Sequence, residues 1–274
     1  MTLRGRNREK APPPVQVRQV SKAFSTADRR IHALGDVSFE VTDGEIIGIV
    51  GPSGSGKSTL LRIIAGLTQA DGGDVLVHGE AVTGPHLGVG MVFQRSNLMP
   101  WRTVLDNVLL PLEVRRGRTS DEDRLQALRM LFLVGLEGFE DVYPKHLSGG
   151  MAQRVVLART LLQAPDVVLL DEPFGALDAL TRERLNVELL RLHQLQRQTI
   201  LLVTHSINEA VFLADRILVL SRRPGRVVAA IPTSFARPRE LSLLGTPEFA
   251  AAAQQVRRAI NQSESDLRPD TADN

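Results

Sequence analysis

The chain of 274 residues contains no cysteine. A disulfide framework and a thiolate metal site are therefore excluded. Its length can bury a substantial core without either. Aromatic residues are sparse, with one Trp, one Tyr and nine Phe. Lysine stands only at positions 10, 22, 57 and 145. No apolar run approaches the ~20 residues that span a bilayer. The longest strand-like runs, such as Val167–Leu170 and Ile200–Val203, have the length of core strands. The first residues lack the apolar stretch of a secretory leader. The expected location is cytoplasmic, with any membrane role supplied by a partner. An excess of one charge is also missing: 33 Lys+Arg stand against 31 Asp+Glu, a formal net charge of +2. That balance gives no basic surface of the size nucleic acid requires, so no nucleic-acid partner is expected.

The present features alternate between strand and helix. Residues 1–14 hold Arg4, Arg6, Arg8 and Lys10 and then three prolines, and read as a disordered tail, with a membrane-surface contact as the alternative. Val15–Val20 and Val37–Val41 alternate apolar and polar, as half-buried antiparallel strands do. Ile46–Val50 is an apolar strand that enters a glycine loop, and a helix is expected from Lys57 to about Ala65. Asp74–His78 and Val89–Gln94 read as further strands. From about residue 95 to 162 the texture is helical: Thr103–Leu110, a second helix starting at Ser120, and a third over Met151–Leu162. Val167–Leu170 and Ile200–Val203 are buried strands. Between them Leu185, Leu189 and Leu192 mark the apolar face of a helix over Leu180–Gln196. Ser206 and Glu209 have capping-box spacing for the next helix. The alternation predicts an α/β fold with a mostly parallel sheet flanked by helices, an antiparallel β region and a helical subdomain at about 95–162. The main domain is expected over 15–235. Residues 236–274 form a C-terminal extension, expected to be disordered after about 263.

Five motifs carry chemistry. Gly51-Pro52-Ser53-Gly54-Ser55-Gly56-Lys57-Ser58, followed by Thr59, fits G-x-x-x-x-G-K-[ST] at every fixed position. Such a loop turns backbone N–H groups inward around phosphate oxygens, and the helix behind it aims its positive end at the same anion. Lys57 reaches the β and γ phosphates and Ser58 offers a hydroxyl to Mg²⁺, which makes the core that of a P-loop NTPase. Val167–Leu170 runs into Asp171 and Glu172, so both carboxylates sit at a strand's carboxyl end, where α/β ligands bind. Asp171 suits the metal and Glu172 suits the attacking water. His205 follows a strand and can hold that water or the γ-phosphate; a lone histidine there can also be merely exposed. Gln94 can offer its amide oxygen to Mg²⁺. Ser148-Gly149-Gly150 opens a helix and forms a second anion site, with hydroxyl, N–H groups and dipole but no lysine.

In this order the motifs resemble the ATP-binding subunits of ABC transporters over about residues 15–235. The resemblance implies ATP and Mg²⁺ as cofactors. It implies Phe24 as the aromatic that stacks on adenine, and Ala176-Leu177-Asp178 as a loop that crosses a dimer interface. Two subunits would pair head to tail, with Ser148–Gly150 of one closing on the ATP held by Gly51–Ser58 of the other. Glu172, His205, Gln94 and Lys57 would carry catalysis. Ser58, Gln94 and Asp171 would bind the metal. Implied partners are a second ATPase chain (another copy of this chain, or a close relative), membrane permease subunits and an extracytoplasmic solute-binding protein, at the cytoplasmic face of the membrane. Arg95–Arg102 would line the groove that receives the permease, with Trp101 either an anchor there or a core residue. The stretches Leu98–Val108, Phe174–Arg182, Glu209–Arg216 and Ser221–Arg226 resemble importers of nitrate, sulfonates and taurine. Related members carry thiamine-precursor pyrimidines. A soluble ABC protein outside transport is the other class. The chain departs from the usual pattern at Phe24, Met151, Gly175 and Ser206, none of which removes a phosphate or metal ligand.

Overall fold

The computed structural model describes residues 12–25 and 29–265. The basic stretch from Arg4 to Lys10 and the polar residues 266–274 lie outside the described residues. Strands β1 (Val15–Ser25) and β2 (Arg30–Val41) pair antiparallel, and both run longer than the alternation predicts. With β4 (Gly72–Val77) and the short β5 (Glu80–Ala81) they form an antiparallel sheet in the order β2-β1-β4-β5.

The second sheet has six strands. They are β3 (Ile46–Val50), β6 (Val89–Val92), β7 (Val167–Asp171), β8 (Thr199–Val203), β9 (Arg216–Leu220) and β10 (Val227–Pro232). Their order is β10-β9-β3-β8-β7-β6, parallel except for β10 at the edge. The α/β architecture is the expected one. β3, β7 and β8 are buried along their whole length, so their apolar runs serve two cores at once. Ile46 and Val50 face one core, and Ile47 and Ile49 face the other. This is the period of two that side chains follow along a strand. One core clamps α1 (Lys57–Ile64) between the two sheets. The other takes the remaining helices.

Between the adjacent strands β6 and β7 the chain makes α2 (Val104–Arg116), α3 (Asp121–Leu133) and α4 (Gly149–Leu162). Ser120 caps α3 with a reciprocal bond from Asp123. α2 continues past the expected end at Leu110. Pro111 withholds only one N–H, and the helix stops at Gly117, whose φ of 76° suits a left-handed cap. β6 ends at Val92 rather than Gln94, because the Phe93 carbonyl accepts from Gln153 Nε2 (2.8 Å) instead of continuing the ladder.

After β7 come α5 (Ala179–Gln196) and α6 (Ile207–Leu213). The capping box expected at α6 is half formed. Ser206 Oγ accepts from Glu209 N (3.3 Å), but Ser206 N donates to Thr204 Oγ1 (3.0 Å) and the Glu209 carboxylate is buried. The C-terminal extension holds an element that periodicity did not suggest, α7 (Pro247–Ser265), which carries helix past residue 263. Phe249 and Val256 are buried, and the Phe249 ring lies 6.0 Å from that of Phe235. Asp215 ties this region to the sheet. It accepts Ile46 N at 2.9 Å and Arg237 Nη2 at 2.7 Å. Arg239, almost wholly buried beside it, donates to the Phe212 and Ala214 carbonyls at 2.8 Å each. Burial lowers the Arg239 pKa to about 10. Among the described residues, no helix is long and apolar enough to cross a membrane.

Candidate active site

A cleft of about 370 Å³ opens where β3 passes into α1. Gly51 and Ser53 to Gly56 line it because the loop's glycines adopt backbone that side chains resist. Gly54 has φ 75° and Gly56 φ 90°. A Cβ at Gly51 would come within 2.5 Å of the Leu220 carbonyl. Gly56 gives α1 no side-chain cap, so the first N–H groups of that helix have no local acceptor built for them. Lys57 Nζ donates to the Gly51 and Pro52 carbonyls at 2.8 Å each, and lies 3.3 Å from Ser55 Oγ. Burial lowers its pKa, against the opposing pull of Glu172 and Asp171.

Asp171 ends β7 and is almost fully buried. It accepts Ser58 Oγ at 2.8 Å. Desolvation raises its pKa, and the Ser58 hydrogen bond works the other way. Glu172 follows with φ 49°, an uncommon conformation for a residue with a Cβ. Its N–H reaches the Val203 carbonyl at 2.9 Å, so the turn is pinned between β7 and β8. Its Oε2 accepts Gln94 Nε2 at 2.9 Å and lies 3.4 Å from His205 Nδ1. Strained backbone held by its surroundings is a mark of functional positions.

The cleft therefore brings together Phe24, Gly51, Ser53 to Thr59, Glu172 and His205. Gln94 and Asp171 reach it through Glu172 and Ser58. Pro52, Ser148, Gly149, Gly150 and Asp178 do not line it. Ser148 caps α4, with its Oγ accepting Met151 N at 3.2 Å. Asp178 caps α5 by accepting Thr181 N at 3.0 Å. Gly150 presses on the same loop as Asp178: a Cβ there would meet Leu177 Cδ2 at 2.6 Å. Gly175 has room for a Cβ at ordinary contact distance from Glu172 and His205. Three cleft residues escaped the sequence reading: Ile31, Ala33 and Arg223. Ser221–Arg226 is visible as a motif, but nothing local in it says that it folds back on the phosphate loop.

Trp101 is not a core residue; it is 71% exposed. Its loop is rigid nonetheless. The buried Asn107 accepts Met99 N (2.7 Å) and donates to the Met99, Arg102 and Thr103 carbonyls.

Comparison with known proteins decides the family. A family model described as ABC transporter matches residues 34–175. An uncharacterized ABC transporter ATP-binding protein of Methanocaldococcus jannaschii is 47% identical over 244 residues, 89% of this chain and 91% of that one. The chain belongs to the ABC transporter ATP-binding family. It is an ATP-hydrolysing subunit of that family. An aliphatic sulfonates import ATP-binding protein of Bacillus cereus is 39% identical over 248 residues, covering 90% and 94% of the two chains. Two solved dimeric structures of one ABC cassette are similar at TM-scores of 0.74 and 0.75, with 35% and 36% identity. Each match covers 81% of this chain and 100% of that chain. One of the two is a post-hydrolysis state bound to ADP and Pi.

Proposed function

We propose that this chain pairs with a second ATPase chain, binds Mg²⁺-ATP between the two, and drives a membrane permease that imports a small anionic solute such as an aliphatic sulfonate, taurine or nitrate. The observation that carries the pairing is the division of the site. The phosphate loop, the carboxylate pair, Gln94 and His205 converge on one cleft. The other anion-binding helix start, Ser148–Gly150, is turned to a separate surface of the same chain. A second chain placed head to tail would bring that surface over the cleft and exclude water from it.

In this reading the phosphates lie against the loop N–H groups and Lys57, and the adenine on Phe24. Mg²⁺ fits the oxygens available. Ser58 and Asp171 already face each other at 2.8 Å, and the Gln94 amide oxygen is not used by its bond to Glu172. So few protein ligands suit Mg²⁺, which keeps waters and takes phosphate oxygens. The ion would neutralise charge on the β and γ phosphates. Glu172 would take the proton of the attacking water, with Gln94 and His205 fixing its carboxylate. Segment 93–103 then links site to surface. Gln153 holds the Phe93 carbonyl, Arg159 holds that of Asn97 at 2.9 Å, and Asn107 holds Met99. A change at Gln94 reaches Trp101 through a fastened chain, where the permease would dock at the cytoplasmic face. The solute class is supported by the named sulfonate importer among the relatives.

The test mixes a Lys57→Ala chain with a Ser148→Arg chain. Head-to-tail pairing predicts one doubly defective and one intact site, so ATPase activity should partly recover over either variant alone. If Ser148→Arg by itself hydrolyses ATP normally in the assembled transporter, the shared site is wrong. Growth on an aliphatic sulfonate as sole sulfur source, lost on deletion of the gene, would test the solute.

A further inference from the structure

The turn between β9 and β10, Ser221-Arg222-Arg223-Pro224-Gly225-Arg226, is a built strap. Ser221 is buried and organises it. Its N–H donates to the Arg226 carbonyl at 2.9 Å, and its hydroxyl accepts Arg226 N at 3.1 Å. The same hydroxyl lies 2.9 Å from the Arg222 carbonyl and 3.1 Å from that of Pro224. The strap is stitched to β2: Gly225 N donates to Ala33 O, and Gly35 N to Gly225 O, at 3.0 Å each. It also lies directly on the phosphate loop. A Cβ at Gly225 would fall 2.0 Å from the Ser55 carbonyl, so only glycine allows the approach.

This seating lays one side chain across the loop. Arg223 Nε donates to the Gly54 carbonyl at 2.6 Å. Its Nη2 comes within 2.6 Å of where a Cβ of Gly54 would stand. The guanidinium is exposed and lines the cleft together with Lys57, Glu172 and His205. One nitrogen is spent on the loop. No hydrogen bond or ion pair to a described residue occupies the other two, so a planar fork of N–H donors remains on a side chain that lines the cleft.

We propose that Arg223 is a further nucleotide-contacting residue, and that its guanidinium grips the polyphosphate from the opposite side of the loop to Lys57. This rests on the ATP-site reading above. Two observations favour phosphate over base. Arg223 is anchored on Gly54, inside the loop whose N–H groups enclose phosphate oxygens. The base end of the cleft has its own groups, the Phe24 ring with Lys22 Nζ 5.6 Å from its centre. A guanidinium fork matches phosphate oxygens two at a time, which an ammonium cannot do.

The experiment measures ATP, ADP and AMP binding by calorimetry to the full chain, for the wild type, Arg223→Ala, Arg223→Gln and Lys57→Ala, with a thermal melt of each. In the expected result, Arg223→Ala and Arg223→Gln weaken ATP and ADP about tenfold, the scale of one charge-assisted contact. AMP binding changes less than twofold and the melting temperature holds. Wild-type affinity for ATP in both arginine variants overturns the proposal. Equal weakening of all three nucleotides also overturns it, with or without a lower melting temperature, because that marks a base contact or a strap that merely shapes the loop. Lys57→Ala reports on the underlying site separately: if it leaves ATP binding intact, the ATP-site reading itself fails.

Discussion

Two helices of this chain begin on glycine-rich turns, and they differ in what surrounds the first turn. α1 starts at Gly56, with no side-chain cap, a lysine in its first position, and the ends of β7 and β8 beside it. α4 starts at Ser148, whose hydroxyl already caps its own helix, and its first turn holds no lysine and no carboxylate. Both offer N–H groups and a helix dipole to an anion. In the proposed function only the first is equipped to do chemistry on one. The contrast teaches that an anion site becomes catalytic through what the sheet delivers to it. The carboxyl ends of β7 and β8 supply Asp171, Glu172 and His205 next to α1. α4 stands outside the sheet, in the helical insert, and has only a hydroxyl and glycines to lend.

The largest effect should follow removal of what the sheet delivers. Glu172→Gln keeps the hydrogen-bonding shape but not the base, and ATP turnover should fall by roughly 10²-fold or more while ATP binding persists. Single-turnover assays beside nucleotide binding check this, and near-normal turnover would take Glu172 out of the role. A second experiment separates the two helix starts. Ser58→Ala should weaken Mg²⁺-ATP binding by the isolated chain, whereas Ser148→Ala should leave it unchanged. Ser148→Ala should instead lower turnover of the paired chains and cost about 1 kcal/mol of stability through the lost cap. Equal loss of binding in both isolated variants would erase the distinction.

Trp101→Ala tests the surface end of segment 93–103. With its side chain largely exposed, the melting temperature should hold. Co-purification with the permease should drop several-fold, as expected for an aromatic anchor. The reverse pattern would return Trp101 to a folding role.

The smallest expected effect concerns His193, which does not line the cleft. Its Nε2 lies 2.8 Å from the Gly44 carbonyl, which can only accept, so this nitrogen carries the proton. Its Nδ1 then accepts from Arg237 at 3.4 Å, with Asp215 on the other side of that guanidinium. Burial first, and Arg237 second, hold its pKa below the ordinary 6.5. The unfolded chain thus binds more protons than the folded one in the window just below 6.5. This contribution is complete above that value and is lost as pH falls through it toward the lowered pKa. Thermal melts across that window should show the midpoint dropping a few degrees with acid, and His193→Gln should flatten that segment of the profile.

Much of the candidate site was legible because its motifs are local. The phosphate loop and the Asp171–Glu172 strand end are contiguous, and their residue types have few other uses in that arrangement. Gln94 and His205 were legible only as members of an ordered set; their shared contact with Glu172 is tertiary. Arg223 was not legible, since its place depends on Gly225 packing against Ser55, a contact between segments far apart in the chain. α7 escaped for a different reason. Its buried face is built from Phe249, Ala252, Ala253, Val256 and Ile260, and alanines mark an apolar stripe weakly. The left-handed backbone at Glu172 leaves no trace in residue type at all, because a carboxylate stands there in place of the glycine that such a φ favours.

The rigid, exposed loop around Trp101 has an optical consequence. This is the single indole in the chain, so ultraviolet emission from the native subunit reports on one spot, with no background from another tryptophan. That spot is joined to Glu172 through Gln94 and the fastened carbonyls of Phe93, Asn97 and Met99. Shifts in emission wavelength during turnover would therefore time the arrival of a change at the proposed docking face without any attached dye.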